Sequence, residues 1–469
     1  MGSPFFKSDL RTEHRAGRAA AFHKPSRKPL HQPIDSTALA QRFGAFQNHL
    51  LLVRCLGEAC RRVAAMIPKD VRHSAMLLFG VLMLLPAVKA QQVRIAAVTA
   101  TEAGAPDQPS PPPSPPWQYG FFVDVGYLLD FNHPANDLFR NRGTTRRVDV
   151  LHVNMAGAYL QKTVSPESRW GAQLTIQAGE DSKIFGFSAT APNLPGADGL
   201  RHLGPTNVSY LAPVGRGLTL QGGIFNSFVG YDSLYAKDNL NYTRPWCADY
   251  TPYLMLGVNA SYPVSEKLTV AGFLVNGYWH LADANAVPSF GGQVAYKPAA
   301  HWTLKETLLL GPHQAKTAFE FWRFLSDSIA EWKRNPFTVA FEYQGATERV
   351  ATATQPRAAW MAAQLPAHWS IDKHWSLTVR PEVAWDSDGR WTGFAQTIKA
   401  VTSTVEYRLP YRQLTTIMRV EYRYDDSRGP GGGFFRGAWI TPNTVGLTPT
   451  QHLLIFGAIF TLDGQIPRK

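Results

Sequence analysis

The stretch LPYRQLTTIMRVEYRYDD, from Leu409 to Asp426, consists of a short polar turn followed by a strand with two unlike faces. Side chains alternate across a strand with a period of two. Positions 418, 420, 422 and 424 are Met, Val, Tyr and Tyr, whereas positions 419, 421, 423 and 425 are Arg, Glu, Arg and Asp. One such strand fits many kinds of sheet, so the fold class depends on how often this unit recurs along the chain.

The unit recurs between residues 117 and 462, where short alternating segments fill the sequence. Most of them have about 10 residues, the length that crosses a hydrocarbon layer as a tilted strand. Alternation is weak in 170–179, 302–311 and 319–331. The sixteen predicted strands lie near 119–131, 146–162, 170–179, 206–212, 218–227, 253–263, 268–279, 289–297, 302–311, 319–331, 337–346, 357–366, 375–386, 396–408, 414–425 and 451–462.

The connections between these strands alternate between short polar turns and long loops rich in Gly, Pro, Asn and Asp. This sorting is typical of outer-membrane barrels, and a soluble sandwich has no reason to sort its loops by end. We therefore predict an all-β fold, a transmembrane antiparallel up-and-down β-barrel of about 16 strands. The long loops 180–205 and 228–252 are expected to fold into the barrel.

A barrel of sixteen strands encloses a lumen wide enough for water, so inward charges need no partner in a protein core. Such charges tune ion preference, or they solvate the wall and pair across neighbouring strands. Their near balance predicts neither anion nor cation selectivity. The predicted pore-lining residues are Lys305, Glu342, Arg380, Glu382, Glu406, Arg408, Arg419, Glu421 and Arg423.

The N-terminal part of the chain has a different composition. From Met66, basic residues precede the apolar run AMLLFGVLMLL (75–85), and the small residues ending at Ala90 fit a signal-peptide cleavage site. We predict residues 1–65 as a mis-started or disordered extension and 66–90 as the signal peptide. A Pro-rich periplasmic linker follows at 91–116, the outer-membrane barrel at 117–462 and a C-terminal tail at 463–469.

The net charge of +12 invites a nucleic-acid interpretation, but its location argues against one. Residues 1–90 hold 14 of the 47 Lys and Arg and only 5 of the 35 Asp and Glu, so the remaining chain has a net charge of only +3. We expect no nucleic-acid partner. Cys247 is the only cysteine after residue 90, so a disulfide framework within the barrel is not predicted.

Motifs for catalysis or cofactor binding are weak. The histidines show no metal-ligand spacing, GPGGGFF (429–435) lacks the setting of a phosphate-binding loop, and no nucleophile motif is found. Carboxylates at 386, 388, 425 and 426 fit turn formation, or a Ca²⁺ or lipopolysaccharide contact at the outer rim. We assign no catalytic, metal or cofactor residue and no cofactor.

Several segments carry a family resemblance: NLNYTRPW (239–246), LGVNASYPVSEKLTVAGFLVNGY (256–278), SFGGQVAYKP (289–298), EYRYDDS (421–427) and TPTQHLLIFG (448–457). Together they resemble the putative beta-barrel porin-2 family, the OmpL-like porins. The resemblance implies an outer-membrane porin-like barrel and implies no substrate. The aromatic-ended segment up to Phe460 also resembles the last strand of such barrels, although nine further residues follow it.

We expect a passive outer-membrane channel for small hydrophilic solutes or ions, without enzymatic activity. A barrel enzyme of the lipase or protease type and a secreted all-β binding protein are the alternatives. The expected partners are outer-membrane lipid, lipopolysaccharide, the barrel-assembly machinery and, as a homotrimer, further copies of the chain.

Overall fold

The computed structural model describes residues 117–186, 196–278, 281, 287–312, 321–350 and 357–466. The predicted extension, signal peptide and linker lie outside this part of the chain. The strands are β1 (Trp117–Asp130), β2 (Leu151–Lys162), β3 (Trp170–Ala178), β4 (Thr206–Ala212), β5 (Leu218–Asn226), β6 (Leu254–Pro263), β7 (Leu268–Val275), β8 (Ser289–Tyr296), β9 (Trp302–Pro312), β10 (Trp322–Arg334), β11 (Phe337–Arg349), β12 (Arg357–Gln364), β13 (Ala367–Ser370), β14 (Trp375–Asp386), β15 (Gln396–Tyr411), β16 (Leu414–Arg428), β17 (Phe434–Thr441), β18 (Thr444–Thr448) and β19 (Thr450–Ile466).

Seventeen of these strands form one closed antiparallel sheet. β12 and β13 both pair with β11 and β14 and together occupy one strand position, which Leu365 and Pro366 interrupt. Proline has no N–H to donate to a ladder. The barrel therefore has sixteen strand positions, and the predicted fold class is confirmed.

The first and last strands close the barrel. β1 pairs with β19 from Trp117↔Ile466 to Asp130↔Leu453, and β1 also pairs with β2. β19 thus runs to Ile466, four residues into the predicted C-terminal tail. The separate hairpin of β17 and β18 lies in the connection between β16 and β19, where the sequence predicted a long loop without strands.

The two faces of each strand differ in burial. In β16, Val420 is 48% exposed on the outer face, whereas Glu421 and Arg423 on the inner face are fully buried. The predicted facing of this strand is confirmed. Exposed apolar side chains on the outer face suit contact with hydrocarbon, and the closed ladder pairs the backbone groups of the strands.

The outer face carries one carboxylate in β9. The Glu306 side chain accepts hydrogen bonds from the hydroxyls of Ser326, at 2.6 Å, and Ser328. The inner face of β9 and β10 is partly apolar, with Leu309 and Leu325 fully buried. This reversal of polarity explains why the alternation of both segments is weak.

Helical segments are short and lie in the connections. They are one α-helical turn at Ala197–Leu200 and 3₁₀ turns at Asp181–Gly186, Ala236–Asp238 and Ala248–Tyr250. No helix in the described ranges is long and apolar enough to cross a membrane.

Candidate functional site in the barrel lumen

Residues 227–253, which connect β5 to β6, lie inside the barrel; we call them the inserted loop. Tyr242, Arg244 and Trp246 of this loop are at most 1% exposed. Residues of this loop contact inward side chains of β14–β16, strands that lie more than 100 residues later in the sequence. The prediction that 228–252 folds inward is confirmed.

Glu421 binds the middle of the inserted loop. Its carboxylate accepts the backbone N–H groups of Tyr242 at 2.6 Å and Thr243 at 3.0 Å, and the hydroxyl of Thr404 at 2.6 Å. Hydrogen bonds to an ionised group are roughly twice as strong as neutral ones. A buried carboxylate that accepts backbone donors therefore positions the loop firmly.

Two inward arginines bind the carbonyl groups of the same loop. Arg419 donates to the carbonyls of Ala236 at 2.7 Å and Asn239 at 2.6 Å, and Arg380 donates to that of Thr243 at 2.8 Å. Strands alternate inward carboxylates and guanidinium groups, so loop donors and loop acceptors both find partners of the matching kind. The mixed charge of the wall thus matches the polarity of the loop backbone.

Trp246 is held at both of its N–H groups. Its backbone N–H donates to Glu382 at 2.5 Å, and its indole Nε1–H donates to Asp425 at 2.8 Å. Arg423 pairs with both carboxylates, at 2.9 Å to Glu382 and 2.8 Å to Asp425. This charge network is fully buried, and each charge in it has a partner.

The start of the inserted loop is bound by β10 and β11. The N–H of Gly230 donates to Asp327 at 2.8 Å, and that of Tyr231 donates to Glu342 at 3.3 Å. The buried free thiol of Cys247 lies 3.7 Å from Glu342. Cys247 thus serves as a small buried side chain beneath the start of the loop.

The remaining three predicted lumen residues do not contact the inserted loop directly. Glu406 pairs with Arg419 at 2.7 Å and with Arg408 at 3.2 Å. Arg408 lies near the short turn between β15 and β16, with its side chain 44% exposed. Lys305 lies on the inward face of β9 and is partly exposed. Six of the nine residues thus meet the inserted loop, and these three do not.

Other loops support the inserted loop from the long-loop end. Asp249 pairs with Arg142 at 2.8 Å, and Arg244 pairs with Asp181 at 3.1 Å. Asp181 also accepts the N–H of Thr145 at 2.7 Å. Burial raises the pKa of Asp181 to about 7, against the opposing effect of the Arg244 charge. The described part of the predicted inward loop 180–205 therefore packs against the inserted loop.

The opposite side of the lumen is lined by side-chain amides, and we call this surface the amide wall. Asn259 donates to Gln221 at 2.9 Å, and Gln221 donates to Asn207 at 2.8 Å. The inward amide residues of β2–β8 include Asn154, Gln161, Gln173, Gln177, Asn207, Gln221, Asn259 and Gln293. Alternate inward positions in these strands would have revealed them, but the sequence-based search considered charged residues alone.

A cavity of about 200 Å³ lies between the inserted loop and the amide wall. Its lining includes Phe122, Tyr159, Gln161, Gln173, Asn226 and Tyr235. Phe122 and Tyr235 are in edge contact, with ring centroids 4.8 Å apart.

The carboxylates considered for a metal contact have structural partners instead. Asp386 accepts the backbone N–H groups of Trp391 at 2.9 Å and Thr392 at 2.6 Å, as a turn-forming Asp does. Asp425 lies in the lumen and not at the outer rim, because Trp246 and Arg423 bind it there. Within the described residues, no group of three or more His, Cys, Asp and Glu side chains is arranged to hold a metal ion.

The model of the putative beta-barrel porin-2, OmpL-like family matches residues 118–462. The chain belongs to this family. It is a β-barrel of the outer membrane, and the alternative of a secreted all-β binding protein is wrong. A search of curated proteins gives no match.

Three solved structures illustrate the likeness to known barrels. OmpF of Salmonella typhi in complex with daunomycin is 11% identical, with a TM-score of 0.47, over 74% of this chain and 97% of that chain. An anion-selective porin from Comamonas acidovorans is 9% identical, with a TM-score of 0.45, over 74% and 99%. OmpT of Vibrio cholerae in its trimer form is 10% identical, with a TM-score of 0.41, over 74% and 98%.

Proposed function

We propose that the protein is a non-enzymatic channel through which small hydrophilic solutes or ions diffuse across the outer membrane. The observation that carries this proposal is the position of the inserted loop, which binds the charged side of a closed barrel and touches the amide wall at Gln177 and Gln293, while Gln221 stays partly exposed. A loop that narrows a wide polar lumen is what a passive diffusion channel needs.

The nine charged lumen residues have two proposed roles. Glu342, Arg380, Glu382, Arg419, Glu421 and Arg423 hold the inserted loop and so set the width of the constriction. Lys305, Glu406 and Arg408 lie outside these contacts and act on solutes through their charge. The sequence-based prediction gave these nine residues as pore-lining and did not separate the two roles.

The barrel enzyme is the weaker candidate. The buried acidic and basic side chains of the lumen are paired with each other or with the loop, so the described residues offer no free nucleophile–base pair there. The homotrimer, the lipid and lipopolysaccharide contacts and the assembly machinery remain predictions. Cross-linking in native outer membranes would test the homotrimer.

Planar-bilayer recording tests the proposed channel. Protein that shows the heat-modifiable migration of a folded barrel should produce stepwise conductance in potassium chloride. A matched variant, Glu421→Ala, should produce larger or noisier steps, because the inserted loop loses its central carboxylate. Folded protein that never conducts would overturn the proposal.

A further inference from the structure

Charge is distributed unequally around the lumen. Lys162, the final residue of β2, is the only charged residue in β2–β8. The inward charges of β14–β16 lie beneath the inserted loop, where Arg380, Glu421 and Arg423 are fully buried. A solute that passes beside the loop therefore meets the uncharged wall.

The amide wall offers donors and acceptors side by side. A carboxamide has two N–H donors and one acceptor oxygen. The chain from Asn259 through Gln221 to Asn207 uses one N–H of Asn259 and one of Gln221, so each keeps a second N–H. An uncharged solute rich in hydroxyl groups donates and accepts in the same way, whereas an ion finds no counter-charge there to offset lost hydration.

The cavity at this wall is also lined mainly by uncharged polar and aromatic side chains. Amides of Gln161, Gln173 and Asn226 share its lining with the rings of Tyr159 and Tyr235. At about 30 Å³ per water, the cavity has room for about six waters or one small solute.

Among the described residues that line the cavity, the charged side chains neutralise each other. Lys237 and Asp238 form an ion pair of 2.8 Å. Aromatic faces pack against apolar C–H surface while amides bind hydroxyl groups, which is the combination that a sugar-like ring presents.

We infer that the amide wall and its cavity form a solute pathway that favours uncharged polyhydroxylated solutes over ions of the same size. The inference rests on the proposed channel function and names its solute class. It assigns Gln173 and Gln221 as selectivity-determining residues.

Liposome swelling with size-matched solutes tests the inference, with glucose, gluconate and glucosamine as the probes. The native protein should admit glucose about threefold or more faster than either charged probe. Gln221→Leu and, as a second variant, Gln173→Leu should each lower glucose entry about threefold, the effect of one lost hydrogen bond. Conductance in potassium chloride should change less than the rate of glucose entry.

Gln221→Asn is the matched control, because it keeps the amide chemistry and should retain most of the preference for glucose. Equal entry of the three probes through a conducting native channel would overturn the inference and leave the channel function standing. The same holds if the two Leu variants, shown to be folded, admit glucose like the native protein. Absence of both conductance and swelling would instead overturn the channel function.

Discussion

The charged wall of β14–β16 and the amide wall of β2–β8 face the same lumen but have different roles. In the charged wall, Arg419 and Glu421 bind backbone groups of the inserted loop and are almost completely buried. In the amide wall, Gln221 bonds to the neighbouring amides of Asn207 and Asn259 and stays partly exposed. The comparison teaches that the most charged surface of a pore is not necessarily the surface that solutes meet.

The largest effect is expected when the carboxylate that binds the middle of the inserted loop is removed. Glu421→Ala leaves two buried loop N–H groups and the Thr404 hydroxyl without their acceptor. Breaking a buried charged contact costs about 3–5 kcal/mol, so we expect the loop to leave the wall. Limited proteolysis at Lys237 should become fast, and the conductance should rise. Glu421→Gln, which keeps one acceptor oxygen, should show a smaller change; equal resistance of the native protein and Glu421→Ala would contradict the role of Glu421.

A charge on the outer face of the same strand should have a different consequence. Val420→Lys places an ammonium group on the lipid side of β16 and should destabilise the barrel by about 2–4 kcal/mol if it lies near the midplane. Urea unfolding of the refolded barrel in bilayers measures this loss. Val420→Leu is the control and should behave like the native protein. A stable Val420→Lys barrel would show that the two faces are assigned the wrong way round.

A charge added to the amide wall should change the ion selectivity of the channel while the barrel stays folded. Gln221→Glu introduces a carboxylate at a partly exposed position, so the channel should become cation-selective. The selectivity should be present above the ordinary carboxyl pKa of about 4.3 and should fade as pH falls through that value, because the group becomes neutral. Reversal potentials in a salt gradient at several pH values test this. An unchanged reversal potential would mean that ions do not pass beside Gln221.

The smallest effect is expected at the exposed end of the charged wall. Arg408→Gln removes an ion pair with Glu406 whose arginine side chain is 44% exposed. Such pairs contribute about 0–1 kcal/mol, so thermal stability and loop position should hardly change. A large loss of stability in this variant would show that the division into loop-holding and free charges is drawn wrongly.

Strand number and facing could be predicted because hydrocarbon outside and polar groups inside impose a period of two on each strand. The prediction weakens in β9 and β10, where Glu306 faces outward and Leu325 faces inward. The hairpin of β17 and β18 was missed because it lies beyond the membrane-spanning strands, where that period is not imposed.

The site was harder to predict than the fold. Inward charges were recognised from alternation, but their partners are loop backbone groups up to about 180 positions away in sequence. No local pattern encodes such a pairing. The density of Tyr, Arg and Trp in NYTRPW (241–246), unusual for a solvated loop, is the signal that could have indicated burial.

The pairing of an early loop with late strands also orders the events of assembly. The inserted loop precedes β14–β16, the strands that bind it, by more than 100 residues, and Thr243 binds Glu421 178 positions later. The contacts of Tyr242, Thr243 and Trp246 with these strands therefore cannot form until the C-terminal strands are in place. Contacts so distant in sequence form slowly, because the intervening chain must first be ordered. We therefore expect the constriction to be completed late in assembly, once β16 is in place.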